Sequence, residues 1–292
     1  MSALSDNYFT RLCKCGSAEQ VRRALADGAN VHAKGRFLGY SAVVYAARWN
    51  PDPEVLRVLL DAGASVNTLW DDGATVLMGA VWNTTNVEVI KTLLAAGADI
   101  HARDQRGRPV LHYAAGNDKA EVFAFLRELG LKIEERDRDA MLCEAANFGA
   151  SETVRVLLDA GANANAERDG HSALFGAAGN TDAEVFQMLA AAGGTIDPAD
   201  LNEALCEAAE SGAPETIRAL LVAGAQVDAR AKTGETALML AAWRNQSPVV
   251  QALLDAGADT RLTDPENDVA LDYAYLGGNR CVIALLKAQE RE

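Results

Sequence analysis

The sequence predicts an all-α solenoid of about nine helix pairs joined by short β-hairpin-like loops. Three observations predict it. A glycine-terminated apolar block returns at a nearly fixed spacing. A second block, ending in a pair of small residues, lies between successive glycines. No shift of composition or Gly/Ser-rich linker divides the array across its 292 residues.

The first block reads Val-Leu-Arg-Val-Leu-Leu-Asp-Ala-Gly-Ala-Ser-Val over 55–66. It returns at 90–100 and again around Gly161, Gly193, Gly224 and Gly257, with weaker forms around Gly28 and Gly130. From Gly28 to Gly257 the spacings are 35, 34, 33, 31, 32, 31 and 33 residues. A constant period of this kind is the mark of a repeat architecture. Val55, Val58, Leu59 and Leu60 fall at helical spacing and form one buried face. The glycine that follows closes the helix in the left-handed region at little steric cost. Helix starts are marked as well: Asp52-Pro53 and Ser247-Pro248 set a capping side chain before a proline, and Ser17 to Gln20 has capping-box spacing.

The second block is clearest over 234–242, Gly-Glu-Thr-Ala-Leu-Met-Leu-Ala-Ala. Its relatives start at Gly73, Gly107 and Gly170. It predicts a short first helix whose Ala-Ala pair lets neighbours approach closely. The block resembles the ankyrin signature Thr-Pro-Leu-His-x-Ala, and the period is that of ankyrin repeats. The resemblance covers roughly residues 7 to 288. No copy keeps the full Thr-Pro-Leu-His tetrapeptide, and only His112 keeps its histidine; Cys143 and Cys206 occupy that slot in two copies. Those two repeats are also about two residues short, so trimmed or distorted hairpins are expected there. Linkers such as 49–53, Trp-Asn-Pro-Asp-Pro, are similar to those of bacterial ankyrin-only chains.

The domain expectation is one array over 1–292, with an N-terminal cap at about 7–28, internal repeats over 29–268 and a C-terminal cap at 269–292. Polar end repeats are what such an array needs, since each unit buries its apolar face only against a neighbour. The five cysteines, Cys13, Cys15, Cys143, Cys206 and Cys281, are odd in number and scattered, which reads as free, mostly buried thiols rather than a disulfide framework. A start without a basic segment and apolar core argues against a secretory leader and for a cytoplasmic address, with delivery into a host cell left open. No run of about 18 apolar residues predicts a membrane span. A net charge of −14 repels phosphate backbones and anionic head groups. The expected partner is therefore another protein with a basic or neutral contact surface, not nucleic acid or a membrane, and the chain is expected to be monomeric.

The resemblance implies that partners meet the hairpin tips, the residue before each Ala-Ala pair and the two residues after it. Those positions hold Phe37, Tyr40, Tyr45, Trp49, Trp70, Trp82 and Tyr113 in the N-terminal half. The middle holds Glu144, Phe148, Glu207 and Glu210; the C-terminal part holds Leu240, Trp243, Arg244 and Tyr273. Large aromatics are the usual interface anchors, and carboxylates steer a basic partner. Set against this, an aromatic at helical spacing is commonly partly buried packing, and three glutamates are commonly a solvated face.

No catalytic or metal motif is present: no His-Glu-x-x-His, phosphate loop or Gly-x-Ser-x-Gly. Cys13-x-Cys15 lacks a second pair for zinc. His32 and His101 fill the slot that Asn67 holds in another copy, which suggests backbone hydrogen bonds in the hairpin. His171 is placed in a turn, and the resemblance gives His112 a local bond. Asp71-Asp72 and Asp264-x-Glu266 could hold a cation weakly. No cofactor is expected. The reading is a protein-interaction module acting as adaptor, scaffold or inhibitor. The alternatives are a self-associating structural stack or one that binds a small ligand or ion and, third, an enzyme.

Overall fold

The computed structural model describes residues 5–36, 39–70, 72–84, 86–117, 120–211 and 213–289. Among them are eighteen helices in nine pairs, odd-numbered helices being the first of each pair. The chain divides into two compact units, Met1–Asp137 and Arg138–Glu292. The first holds α1 (Asp6–Cys15), α2 (Ala18–Ala26), α3 (Ala42–Trp49), α4 (Pro53–Asp61), α5 (Val76–Asn83), α6 (Val87–Ala95), α7 (Val110–Ala115) and α8 (Ala120–Glu128). The boundary falls within α9 (Glu135–Asn147). The second unit continues with α10 (Ser151–Asp159), α11 (Ala173–Ala178), α12 (Glu184–Ala191), α13 (Leu201–Ser211), α14 (Pro214–Val222), α15 (Ala237–Trp243), α16 (Ser247–Asp255), α17 (Ala270–Gly277) and α18 (Arg280–Gln289).

Second helices bury one stripe, as α4 does with Val55, Leu56, Val58 and Leu59. First helices are walled in on more sides: α5 buries every residue from Val76 to Val81. In the first unit α1 packs on α3, α3 on α5 and α5 on α7, while α2, α4, α6 and α8 form a second row. In the second unit α11, α13, α15 and α17 pack in sequence in the same way. The eight periodic glycines all have positive φ, between 84° and 109°. Behind seven of them, all but Gly130, the chain doubles back: the Ala64 amide, for example, donates to the Leu59 carbonyl at 2.9 Å. This is the six-residue closure that a left-handed glycine permits.

Two of the marked helix starts hold and one is moved. Ser17 and Gln20 form a capping box, and Asp52 accepts from the Glu54 amide ahead of Pro53. Ser247, expected to cap α16, is instead its first helical residue, behind Gln246, with no side-chain cap bond.

Short antiparallel pairings precede most first helices: Lys34 with Ser41, Leu69 with Thr75, Arg103 with Pro109, Arg230 with Thr236 and Thr263 with Val269. One grows into a two-stranded ribbon, β1 (Glu167–Arg168) and β2 (His171–Ser172), closed by Asp169 and Gly170 at φ 55° and 89°. Positive φ at both central residues matches the twist of a tight hairpin. His171, expected in the turn, thus lies on a strand.

The two short repeats differ more than by trimming. Among the described residues no strand pairing precedes α9 or α13. These helices run to 13 and 11 residues, against six to eight for α3, α5, α7, α11 and α15. Too short to fold a hairpin, the segment is taken up as extra helix.

Asparagines tie neighbouring repeats together. In the first unit Asn50 Nδ2 donates to the Cys13 and Gly16 carbonyls, both at 2.9 Å, and Asn117 Nδ2 donates to Val81 and Thr84 at 2.7 and 3.0 Å. In the second unit Asn180 reaches the Ala146 carbonyl and Asn245 the Gly277 carbonyl, each at 2.8 Å. Helix ends leave such carbonyls without intrahelical partners.

Candidate partner-binding surface

In the first unit the structure gathers most of the aromatics singled out above. Tyr40 stacks on Trp70 with ring centres 4.9 Å apart, and Tyr45 lies 5.3 Å from Trp49. Tyr40 also meets Trp49 and Tyr45, at 6.1 and 6.2 Å. The Arg48 guanidinium covers both tryptophans, 4.8 Å from Trp49 and 5.2 Å from Trp70, while donating to Asn83 Oδ1 at 2.6 Å. Lys14 also stands 5.2 Å over Trp49. All four rings are half-buried. The two tryptophans thus already carry the chain's own cations, Arg48 on both and Lys14 on Trp49. Glycines make room beneath: a β-carbon on Gly79 would collide with the Trp70 ring, and one on Gly35 would stand 2.6 Å from Tyr45. Trp82 turns instead to Tyr113, 6.1 Å away edge to face. Phe37 lies outside the described residues.

Tyr113 is a correction. It is not presented outward but buried, its hydroxyl donating to Asp104 Oδ2 at 2.7 Å. Asp104 is itself buried and takes the Arg106 and Arg108 amides and the Arg108 side chain. Burial pushes the Asp104 carboxyl up, yet the bonds from Tyr113 and Arg108 together hold it below 3.8. Burial, then the Asp104 bond, raises Tyr113. The second unit repeats the device. Tyr273 donates to Asp264 Oδ2 at 2.7 Å, and the Glu266 and Asp268 amides donate to Oδ1. The Tyr273 bond is the main reason Asp264 lies below 3.8. A hairpin carboxylate locked to the tyrosine nine residues on fixes loop to helix in both units.

The second unit carries further corrections. Glu144 is neither presented nor solvated: it is buried and ion-paired with Arg168 of the ribbon. Leu240 is buried as well. Phe148 and Trp243 are exposed, at 44% and 47%. Arg244 lies 4.6 Å over Trp243 and donates to Glu210 Oε2 at 2.6 Å. On α13, Glu203, Glu207 and Glu210 recur at helical spacing, so they share a face. Glu203 pairs with Lys232 and Glu210 with Arg244. Glu207 is raised by burial, then by Glu210 and Glu203. His32 and His101 are corrected too: both are exposed, and the turn is bonded by Asn30 and Asp99, whose side chains accept the two histidine amides.

A family model described as ankyrin repeats (3 copies) matches residues 9–104, 111–203 and 205–291, and a second, ankyrin repeats (many copies), matches 84–127. The chain belongs to the ankyrin-repeat family. Three ankyrin relatives show how widely the array is reused. It is 28% identical over 286 residues to the E3 ubiquitin-protein ligase KEG of Arabidopsis thaliana, covering 94% of this chain and 16% of that one. It is 31% identical over 199 residues to the ankyrin repeat and KH domain-containing protein mask-1 of Caenorhabditis elegans, covering 66% and 8%. To the B-cell lymphoma 3 protein homolog of Mus musculus it is 26% identical over 212 residues, covering 70% and 40%. The chain thus spans less than half the length of each of these curated relatives.

Within the ankyrin array, the asparagine ties and the two Asp–Tyr locks are what sequence reading missed. The signal was there: an asparagine two or three residues past the Ala-Ala pair at 50, 117, 180 and 245, and aspartate nine residues before tyrosine at 104 and 264. Asp264, Glu266 and Asp268 bring carboxylates within 4.8 Å of one another, but those of Asp264 are engaged by Tyr273 and backbone amides. Asp71 lies outside the described residues. Cys13, Cys143 and Cys206 are buried, and Cys15 and Cys281 are exposed. Burial pushes Cys13 and Cys206 to about 12 and Cys143 to about 11, which leaves little thiolate at neutral pH. No described helix is long and apolar enough to cross a membrane.

Proposed function

We infer from its ankyrin repeats that this chain is a protein–protein interaction module. We propose that this chain uses the exposed side of its first helices and its hairpin tips to dock one partner protein, as an adaptor, scaffold or inhibitor without catalysis of its own. The observation that carries the reading is the half-buried cluster of Tyr40, Tyr45, Trp49 and Trp70 under Arg48. Packed rings lose little rotamer freedom on binding and offer a preformed surface. The whole of 1–292 acts as one cytoplasmic, monomeric array, and the partner presents a basic or neutral surface.

Capture from native lysate by the wild type and by a Trp49→Ala, Trp82→Ala double variant tests it, with circular dichroism as the control for folding. A protein held by the wild type and released by the folded variant supports the reading. Equal capture by both moves the binding surface elsewhere. A wild type that sediments as a dimer, with the variant monomeric, would replace it by self-association.

A further inference from the structure

The first helices of the second unit have an uneven outward side. Before and after the Ala-Ala pair, α13 carries Glu207 and Glu210, and α15 ends in Trp243. On α11 the same two places are Gly176 and Gly179, so that helix offers bare backbone between side-chain-bearing neighbours. The recess has defined walls. A β-carbon on Gly176 would lie 3.6 Å from Asn147 of α9, and one on Gly179 would lie 3.8 Å from Glu207 Oε2. Neither glycine has positive φ. Backbone conformation therefore does not demand them, and what they leave is space.

Charge completes the description. The second unit carries 11 basic and 24 acidic residues, a net of −13, while the first carries 16 and 17, a net of −1. Of the three carboxylates on α13, Glu207 alone has no ion pair among the described residues. It is also the one that leans over the recess. Carboxylates alone would be a solvated face. Here one carboxylate without an ion pair among the described residues borders bare α11 backbone with room above each glycine for an added β-carbon, and Phe148 just past the end of α9 and Trp243 at the end of α15 are exposed.

We propose that this recess seats a single arginine or lysine of a partner segment, paired to Glu207, with apolar residues of that segment on Phe148 and Trp243. The inference rests on the protein-binding reading and names the partner's chemistry. A long basic side chain fits because its methylene stem can cover the α11 backbone while its head reaches the carboxylate. Neighbouring helices lie about 8–10 Å apart, so the path from α9 to α15 is roughly 25–30 Å. An extended segment of about eight or nine residues spans it. Its basic residue falls near the middle and its apolar residues near the ends.

Selection of a random-peptide phage library on the intact protein tests this, followed by affinity measurement of the enriched peptides by fluorescence anisotropy. Expected peptides carry a basic residue flanked by aromatic or aliphatic ones. Glu207→Gln should weaken them by roughly tenfold, as should Gly176→Leu, which fills the recess. Replacing the basic residue by citrulline or norleucine should abolish the Glu207 dependence, and rising salt should weaken wild-type binding only. Circular dichroism confirms that each variant folds. Peptides lacking a basic residue, or bound equally by both variants, overturn the proposal. If enriched peptides are lost with Trp49→Ala, Trp82→Ala but kept with Glu207→Gln, the protein-binding reading stands and this inference falls. If nothing is enriched, both fall. A wild type that dimerises through the recess, with Glu207→Gln monomeric, assigns it to a second copy and also overturns the proposal.

Discussion

Tyr113 shows how a single hydroxyl can outweigh an interface role. A tyrosine beside the Ala-Ala pair is placed to meet a partner, yet Asp104 draws it inward. A buried carboxylate without donors is costly, so the bond is kept. Because Asp104 titrates below its ordinary 3.8 when folded, its contribution is complete above that pH and is lost as pH falls through the folded value. Tyr113→Phe should cost about 1.5–3 kcal/mol at neutral pH. It should also move acid unfolding of the first unit to higher pH, read by circular dichroism from pH 2 to 6. An unchanged acid midpoint would mean that Arg108 and the backbone amides suffice. Gly79 is set by its neighbour in the same sense. Gly79→Ala forces the Trp70 ring to move, with an expected loss of about 1–3 kcal/mol in urea melts and a changed tryptophan emission.

At the scale of elements, each repeat is held to the next by more than its apolar stripe. Asn117 is buried and bridges two carbonyls at the end of α5. Asn117→Ala leaves both without that donor and should destabilise the first unit by about 1–3 kcal/mol. Hydrogen exchange should then rise first at α5 and α7. A loss confined to α8 would place the tie elsewhere. Helices α9 and α13 show the other control on element form. With two residues fewer, the chain cannot reach out into a hairpin and back, and the segment that is a loop elsewhere winds into helix. The shortening was visible in the glycine spacing. Its conformational result was not, because a polar run such as 136–139, Arg-Asp-Arg-Asp, reads equally as loop or as exposed helix.

Over the whole molecule the charge is unevenly shared, −1 in the first unit and −13 in the second. Like charges on a compact body oppose its folding, and salt screens them within a Debye length of about 8 Å at physiological ionic strength. Raising salt should therefore slow amide exchange in α13 to α18 more than in α1 to α7, measured by mass spectrometry on the intact protein. An equal response in both units would show that local ion pairs such as Glu203–Lys232 already neutralise the excess. The same asymmetry separates two surfaces, an aromatic one covered by Arg48 and Lys14 and an acidic one around Glu207.

The sequence by itself determined the repeat, the helix pairs and where each second helix ends. Those follow from spacing and from one residue type, since only glycine enters the left-handed region without strain. It also brought Trp49, Trp70, Trp243 and Glu207 forward as candidates, through the places they hold in the family resemblance. Tertiary structure decided which candidates face outward. Tyr113, Glu144 and Leu240 share the register position of Tyr45 and Glu207 but are buried, Tyr113 and Glu144 because Asp104 of the preceding hairpin and Arg168 of β1 come within bonding reach. The recess over α11 arose in the same way. Two glycines acquire meaning only beside the neighbours that the fold sets around them, and contacts between residues some thirty positions apart are fixed by packing, which periodicity does not encode.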